Sequence, residues 1–300
     1  MVKPLYGAIE AGGTKFRCAV AYGIDALCAE TRIPTAAPAE TLAQVLAFFA
    51  EAEKAHGRVA SLGIASFGPL DLDRASPGWG HLLRTPKAGW AGTDLVAPLR
   101  TRFACPIALD TDVNAAALAE LRHGAGRGLQ SLAYVTVGTG IGGGAVVNSA
   151  TLAGTLHPEM GHLRVVRDPR DTTFPGTCPF HGDCLEGLAC GPAIESRWGA
   201  PLDKLPASHE AFAIVGGYLG QLAASIALLL AVDRIVFGGG VMTSASLLPH
   251  VRKSASALLN GYLPVERLGA SMAEYISSPG LGERSGLAGA LLLAMAASGR

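Results

Sequence analysis

The chain has 300 residues, 24 acidic and 24 basic side chains, and 49% apolar residues, which suffices for one large domain or two ordinary ones with a sizeable core. The zero net charge and the lack of a basic patch argue against a nucleic-acid-binding protein. Six cysteines do not make a disulfide framework, and the N-terminus has no apolar stretch of signal-peptide length, so we expect reduced thiols in a cytoplasmic protein.

The first part of the chain alternates strand-like and helix-like segments. In chain order, the sequence predicts strands at 4–10, 16–22 and 31–35, a helix at 38–56, a strand at 59–69, a helix at 93–103, a strand at 105–110 and a helix at 113–124. The turn AGGTK joins the first two strands, and Gly124 closes the last helix. This pattern indicates a sheet flanked by helices.

The second part restarts the same pattern. It predicts a strand, a glycine-rich turn and a strand at 131–147, helices at 191–198 and 211–232, a strand at 234–240 and a helix at 286–298. Each part opens with a strand that runs into a Gly/Thr turn. We therefore expect two packed α/β lobes with a cleft between them. The first is residues 1–114, onto which the helix at about 286–298 packs back, and the second is residues 115–285, with a loop inserted at 157–187.

The segment 211–232 is long, uncharged and mostly apolar, so it could be read as a membrane span. We favour a buried helix of an α/β protein. Gln221 and Ser225 weaken a lipid-facing interpretation, and a strand-like run follows almost at once, as a short helix-to-strand connection predicts.

The two Gly/Thr turns share a chemistry suited to phosphate. Glycines allow backbone N–H groups to point at phosphate oxygens, and a threonine adds a hydroxyl donor. The candidates are Gly12, Gly13, Thr14, Lys15, Gly138, Thr139 and Gly140. Neither turn matches the P-loop or the dinucleotide-binding pattern. Ordinary glycine-rich hairpins remain the alternative for each turn taken alone.

A carboxylate stands where a predicted strand meets a predicted helix. Asp112 and Asn114 occupy this junction. Asp112 could simply cap the helix, because Asp favours that position. It could instead act as a general base that accepts the proton of a hydroxyl nucleophile during phosphoryl transfer.

The loop at 157–187 is rich in histidine and cysteine, and four of its residues form a candidate metal site. Cys178, His181 and Cys184 follow each other at three-residue spacing, and His162 lies sixteen residues earlier. Two thiolates and two imidazoles are a ligand set for tetrahedral zinc. Four protein ligands leave no position for an activated water, so we predict a structural zinc and exclude a zinc hydrolase. His157 and Asp183 are spare candidate ligands. The other cysteines, Cys18, Cys28, Cys105 and Cys190, are predicted to be small buried residues.

Eight strings occur in an order that is typical of one family. They are EAGGTK, GIASFGPLDL, TPKAGW, DTDVNAAALAE, VTVGTGIGGG, HPEMGH, CPFHGDCLEGLACGPAIE and FGGGV. Nearly the whole chain thus resembles the ROK family of sugar kinases and repressors, and most closely its bacterial zinc-containing fructokinase branch. The resemblance implies a two-lobed actin/hexokinase-like (ribonuclease H-like) ATPase fold, the cofactors ATP, Mg²⁺ and structural Zn²⁺, and a homodimer.

The resemblance also implies roles for individual residues. Asp112 is the catalytic base. The residues implied along the triphosphate are Gly12, Gly13, Thr14, Gly138 and Thr139, and those near the nucleoside are Pro192, Gly238 and Gly239. The residues implied to hold or edge the sugar are Gly68, the loop Thr85-Pro86-Lys87, Asn114, Glu159, His162 and Glu186. Cys178, His181 and Cys184, with His162, are the implied zinc ligands.

Two positions depart from the pattern of many family members. Glu10 stands where many carry Asp, close to the metal and phosphates, and Thr111 stands where many carry an Asn that contacts sugar. EAGGT is itself typical of the fructokinase branch, which favours fructose over glucose. A glucose or mannose kinase is the alternative in the same class. A sugar-sensing repressor is the alternative in another class, and we expect no DNA-binding module because six residues precede Gly7.

Overall fold

A computed structural model of the chain describes residues 3–264 and 271–299. It contains two five-stranded sheets of mixed strand direction with helices around them, which confirms the predicted α/β class. The described residues divide into two compact units. Unit 1 comprises residues 3–119, 151–157 and 284–299, and unit 2 comprises residues 120–150, 158–264 and 271–283.

Unit 1 contains the first sheet, in the strand order β3-β2-β1-β4-β5. Its strands are β1 (Leu5–Ala11), β2 (Lys15–Ala21), β3 (Leu27–Pro34), β4 (Val59–Ser66) and β5 (Ile107–Thr111). Its helices are α1 (Pro38–His56), α2 (Ala97–Arg102), the first part of α3 (Asp112–His123) and the C-terminal helix, α9 (Ser285–Ala297). β1, β4 and β5 run parallel to each other, whereas β2 is antiparallel to both of its neighbours.

The central strands of unit 1 are apolar on both faces because helices cover both. Phe49 of α1 packs into the core on one side. On the other side α9 lies directly on β4, since a Cβ at Gly63 would collide with the α9 backbone at Ala290. Ser61 fixes this contact, because its hydroxyl donates to Ala294 O at 2.6 Å. The C-terminal helix is therefore an integral part of unit 1.

Unit 2 is built around the second sheet, in the strand order β10-β9-β6-β7-β8. Its strands are β6 (Leu132–Val137), β7 (Ile141–Val147), β8 (Ala150–Thr151), β9 (Ile235–Gly238) and β10 (Ile276–Ser277). Its helices are α4 (Leu185–Ala189), α5 (Gly191–Trp198), α6 (Glu210–Leu230), α7 (Leu247–Leu259) and α8 (Met272–Tyr275). The unit boundary falls within α3, and the second residue of β8 already belongs to unit 1.

Helix α6 is the apolar segment that could be read as a membrane span. Within the described part of the chain it is the one helix long and apolar enough for that role, but most of it is buried inside the protein. It packs along α7, where a Cβ at Gly216 or at Gly220 would collide with His250 or Ser254. These small residues let the two helices approach closely, as in a core helix pair.

Helix α2 is shorter than predicted, because it begins at Ala97 rather than at residue 93. The Asp94 carboxylate accepts hydrogen bonds from the backbone N–H groups of Val96 and Ala97 at 2.8 and 2.9 Å, which forms a turn and holds residues 93–96 outside the helix. The prediction that all spare cysteines are buried is also wrong in part. Cys18 and Cys190 are buried, whereas Cys28 and Cys105 are partly exposed.

A buried carboxylate of α3 holds two loops of unit 2. Glu120 is fully buried, and its oxygens accept hydrogen bonds from the backbone N–H groups of Ala125, Gly280 and Leu281 at 2.8 to 2.9 Å. Each buried N–H group left without a partner costs about 1–3 kcal/mol. Glu120→Ala is therefore expected to lower the free energy of unfolding by about 3–5 kcal/mol in urea denaturation. Glu195→Ala, on the exposed face of α5, is the control, and equal loss in both variants would contradict this role.

Candidate active site

Three parallel strands of unit 1 bring candidate residues to one edge of the sheet. Ala11, Ser66 and Thr111 lie side by side as the last residues of β1, β4 and β5. The Gly12 turn, Gly68 and Asp112 follow them within two residues. Ligands of open α/β sheets bind at the carboxyl ends of the strands. With about 4.8 Å between neighbouring strands, the ends of β1 and β5 are about 10 Å apart.

Asp112 is the first residue of α3 and is half-buried. Its Oδ1 accepts a hydrogen bond from Val113 N at 2.9 Å, so the carboxylate sits at the positive end of the helix. Asp112 can therefore cap α3 and act as a general base from the same position.

Asn114 lies one turn further along, and it is fully buried. Its Nδ2 group donates to Asp110 Oδ1 at 2.8 Å and to Leu152 O at 3.2 Å. Thr111 contributes its hydroxyl as an acceptor for Asn114 N at 3.1 Å. Thr111 thus helps to cap α3 in this chain. Asp110 is a site residue that sequence reasoning missed.

The turn between β1 and β2 is a closed hairpin turn. Gly12 N donates to Lys15 O at 3.0 Å, and the Thr35 hydroxyl donates to Gly12 O at 2.8 Å. A Cβ at Gly13 would meet nothing within 4 Å, and Thr14 and Lys15 are exposed. The outer side of this turn is therefore open to a ligand.

Glu10 is a carboxylate next to this turn, near the start of α9. A Cβ at Gly286 would lie 2.3 Å from its Oε1, so a larger residue there would displace the Glu10 carboxylate. Burial raises the pKa of Glu10 to about 7, Arg17 lowers it, and the Asp112 carboxylate raises it. Arg17 Nη1 lies 3.3 Å from Glu10 Oε2, and its other side is paired with Glu30. The mutual repulsion of Glu10 and Asp112 suits a nearby divalent cation.

The candidate sugar-edge residues Gly68 and Lys87 lie in the loop after β4, and the segment 151–157 packs against this loop at Gly68. A Cβ at Gly68 would approach the His157 ring to 3.0 Å. His157 is buried, and its Nε2 accepts a hydrogen bond from Leu70 N at 2.9 Å. The ring therefore carries its proton on Nδ1. Lys87 lies in the same loop, where its N–H donates to the Thr85 hydroxyl at 3.3 Å.

Unit 2 assembles three glycine-containing segments at the ends of β6 and β9. The hairpin turn after β6 is closed by Gly138 N donating to Gly140 O at 2.9 Å. Gly191 N donates to Gly138 O at 2.7 Å, which places the N-terminus of α5, with Pro192, beside this turn. Gly239 follows β9 with φ of 92°, and a Cβ there would collide with the Val137 backbone. A helix N-terminus next to such a turn is suited to an anion.

Glu186 of α4 is positioned by the same turn. Its Oε2 accepts a hydrogen bond from Ile141 N at 2.9 Å, and a Cβ at Gly140 would lie only 2.6 Å from that oxygen. Gly140 is therefore required for the placement of Glu186. Desolvation raises the pKa of Glu159, His162 lowers it, and the Glu186 carboxylate raises it. The two carboxylates are thus neighbours, an arrangement that can accept hydrogen bonds from adjacent hydroxyl groups.

His162, Cys178, His181 and Cys184 form one cluster, in which all four candidate ligand atoms lie within 4.8 Å of one another. Cys178 Sγ lies 3.8 Å from His162 Nδ1 and 3.7 Å from His181 Nδ1, and Cys184 Sγ lies 3.5 Å from His162 Nδ1. Tetrahedral zinc, with bonds of about 2.3 Å to sulfur and 2.0 Å to nitrogen, separates its ligand atoms by about 3.3–3.8 Å. The residues therefore fit a tetrahedral cation.

The two spare candidate ligands lie elsewhere. His157 belongs to unit 1 and accepts from Leu70, as described above. Asp183 forms ion pairs with Arg164 and Arg167. Neither belongs to the group of four in the part of the chain that the structure describes.

A buried ionic network, which sequence reasoning missed, holds the middle of the metal-bearing segment. Asp171 is buried, forms an ion pair with Arg197 and accepts a hydrogen bond from the Tyr218 hydroxyl at 2.6 Å. Arg197 also stacks over Phe174 at 4.4 Å. The segment is thus tied to α5 and α6 independently of the cluster. No short motif signals these partners, because they lie 26 and 47 residues from Asp171.

Comparison with known proteins identifies the family. The chain is 45% identical over 301 residues to a fructokinase from Zymomonas mobilis, with 99% of each chain covered. It is 40% identical to a putative fructokinase from Bacillus subtilis, with 97% of this chain and 95% of that one covered. A ROK family glucokinase from Streptomyces griseus, solved with glucose and AMPPNP, has a TM-score of 0.73 at 25% identity, with 97% and 99% covered. The ROK family model matches residues 6–297, so this chain belongs to the ROK family.

Proposed function

We propose that the protein transfers the γ-phosphoryl group of ATP to a hexose, with D-fructose as substrate and fructose 6-phosphate as product. The observation that carries the proposal is the placement of Asp112 at the carboxyl edge of a parallel sheet, two strands from a glycine turn. The similarity to fructokinases over the full length supports the substrate.

In this proposal Asp112 is the general base. Its carboxylate accepts the proton of the sugar's primary hydroxyl while the oxygen of that hydroxyl bonds to the γ-phosphorus and the bond to the β-phosphate oxygen breaks. The products are ADP and the sugar phosphate. Asn114, Gly68 and Lys87 of unit 1 contact or edge the sugar.

We assign Gly12, Gly13, Thr14, Lys15, Gly138, Thr139 and Gly140 to the triphosphate, and Pro192, Gly238 and Gly239 to the nucleoside. Gly12 N and Gly138 N already donate within their own turns, so the donors to phosphate include the hydroxyls of Thr14 and Thr139 and the ammonium group of Lys15. The N–H groups at the start of α5 provide a fixed positive potential that favours phosphate oxygens.

Mg²⁺, when bound with ATP, neutralises the charge that develops on the phosphates. Mg²⁺ usually takes one or two carboxylates, substrate oxygens and several waters. Glu10, beside the turn at Gly12, is the protein carboxylate that fits this ion, because a carboxylate bound to Mg²⁺ could not also accept the sugar proton, as Asp112 does in this proposal. Replacement of the more common Asp by Glu at position 10 lengthens the side chain by one methylene.

Glu159 and Glu186 bind sugar hydroxyls in this proposal, and a structural zinc holds the segment that carries them. His162, Cys178, His181 and Cys184 are the proposed zinc ligands. His162 lies three residues after Glu159, and Cys184 lies two before Glu186, so the metal fixes the backbone beside both carboxylates. His162 is also assigned to the sugar side by resemblance. A four-ligand site leaves no position for water, so the zinc takes no chemical step.

We further propose that the enzyme is cytoplasmic and a homodimer. The six cysteines are free in the described residues, as expected in a reducing compartment. Light scattering at assay concentration distinguishes a dimer near 61 kDa from a monomer of 30.6 kDa, twice the mass of one chain giving the first value.

A sugar panel tests the proposed substrate. Purified protein with ATP and Mg²⁺ is assayed by coupled ADP release on fructose, glucose, mannose and N-acetylglucosamine. We expect kcat/KM for fructose to exceed that for glucose by about 10-fold or more, because a single misplaced hydroxyl costs at least about 1.4 kcal/mol. Higher kcat/KM on glucose or mannose would show that the protein is a hexose kinase with another preferred substrate. ADP release that no sugar stimulates would overturn the proposal.

A further inference from the structure

His157 is a buried side chain to which the proposed reaction gives no role. The sequence makes it a spare candidate metal ligand, but it belongs to unit 1 and lies outside the group of four in the residues that the structure describes. Its Nε2 accepts the hydrogen bond of Leu70 N at 2.9 Å, and Leu70 is itself fully buried. Water therefore cannot replace the ring as the partner of this N–H group.

The ring of His157 also lies directly against the backbone of Gly68. A Cβ at Gly68 would approach His157 Cε1 to 3.0 Å and Nε2 to 3.1 Å, which is closer than ordinary van der Waals contact. The φ of Gly68 is not positive, so the backbone conformation does not itself call for glycine. The close approach of the ring is the feature that favours glycine at this position.

Hydrogen bonds on both sides of Gly68 fix the loop that carries it. Phe67 N donates to Ala11 O at 2.8 Å, which ties the loop to the end of β1, and Pro69 O accepts from Leu83 N at 2.7 Å. The next N–H group along the chain is the one that the histidine holds. Gly68 is half-buried between these points, and within residues 3–264 and 271–299 its own N–H and C=O groups have no hydrogen-bond partner. Both groups therefore remain available to a ligand.

We propose that His157 is a positioning residue of the sugar site. Its ring holds Leu70 N and supports the Gly68 backbone from behind, so that the N–H and C=O groups of Gly68 keep one direction at the edge of the sugar. His157 thus acts through Gly68, whose role at the sugar rests on the proposed function. A sugar hydroxyl can accept from the N–H group and donate to the C=O group, which is why this pair suits a polyhydroxylated ligand.

The test compares steady-state kinetics of the whole protein with those of His157→Gln and His157→Asn. Gln can place its amide oxygen near the position of Nε2 and accept from Leu70 N, whereas Asn is one methylene shorter and does not reach that group. We expect KM for fructose to rise by about 5- to 50-fold in His157→Asn and to stay within about threefold of wild type in His157→Gln. KM for ATP and kcat are expected to stay within about threefold in both variants.

Glu53→Met is the matched control for the loss of a side-chain acceptor. Glu53 Oε1 accepts from the backbone N–H group of Val59 at 3.0 Å, but Val59 begins β4, whereas Gly68 follows the other end of that strand. The control is expected to lower Tm without changing KM for fructose. The rise of Tm on addition of fructose gives a second measurement that does not depend on turnover. This rise is expected to be smaller in His157→Asn than in the wild type or His157→Gln.

A KM for fructose near the wild-type value in folded His157→Asn would overturn the inference, and so would an equal rise in Glu53→Met. If His157→Asn does not fold, Gly68→Ala tests the same contact from the other side. Its Cβ displaces the ring, so KM for fructose is expected to rise by about 3- to 10-fold, and no rise there contradicts the proposal. Wild-type turnover tests the proposed function separately, and if the wild type prefers another hexose, that hexose replaces fructose in the comparison. A wild-type protein that neither binds nor turns over any sugar removes both.

Discussion

Replacement of Asp112 by Asn is expected to lower kcat for fructose phosphorylation by about 10²- to 10⁴-fold, the usual contribution of a general base. The amide keeps the size of the side chain and can still accept from Val113 N, but it cannot take up the proton of the sugar hydroxyl. KM for ATP and KM for fructose are expected to change by less than about threefold, because the lost interaction develops only in the transition state.

The matched control for this variant is Asp94→Asn. Asp94 also accepts hydrogen bonds from backbone N–H groups at the start of a helix of unit 1, those of Val96 and Ala97, but it lies three residues before α2 and outside the strand ends that carry the site. Its kcat is expected to stay near that of the wild type. If Asp112→Asn kept a kcat within about tenfold of the wild type, another group would have to serve as the base.

Loss of the proposed zinc is expected to destabilise the protein and to weaken binding at the proposed sugar site. Cys184→Ser, or treatment with a strong chelator, is expected to lower zinc content from about one per chain to near zero and Tm by about 5–15 °C. KM for fructose is expected to rise by about tenfold, because the segment that carries Glu159 and Glu186 loses a fixed point. Plasma emission spectrometry, calorimetry and the coupled assay measure the three effects.

Cys190→Ala is the control for loss of a buried thiol in the same region. Cys190 is buried but lies outside the group of four ligands. It is expected to keep its zinc and its KM. The Asp171 network predicts that the metal-free protein stays folded, because it holds the same segment through Arg197 and Tyr218. If the zinc-free protein kept its Tm and its KM for fructose, the metal would have no structural role.

Local sequence signals predicted the elements that carry the site. Alternation and apolar runs identified β1, β4, β5, β6 and β9, because these strands are rich in apolar residues and a glycine or polar residue stands at the end of each or directly after it. The group of His162, Cys178, His181 and Cys184 was predictable as well. The types of these four residues and their spacing along the chain are those of a tetrahedral metal site.

The elements that were missed depend on tertiary contacts. Helix α7 was not predicted, since its apolar face is interrupted by polar residues and Pro249 and becomes clear only where it packs on α6. Strands β8 and β10 have two residues each, which is too short for a periodic signal. They exist because a neighbouring strand pairs with them.

Buried polar residues that hold loops in place were missed for the same physical reason. Glu120 bonds to Gly280 and Leu281, 160 and 161 residues away, and His157 bonds to Leu70, 87 residues away. A buried polar group finds its partner wherever the fold brings one, and sequence spacing carries no information about that distance. Sequence motifs therefore identified the candidate site residues, but they did not identify the buried residues that orient them.

The most direct measurement of the central claim is the structure of the reaction product. Wild-type protein, ATP, Mg²⁺ and uniformly ¹³C-labelled fructose are incubated, and the product is examined by ¹³C and ³¹P NMR. The account predicts one ADP for each fructose phosphate, with phosphorus coupled to C6. Phosphate on any other carbon, or ADP without sugar phosphate, would contradict it.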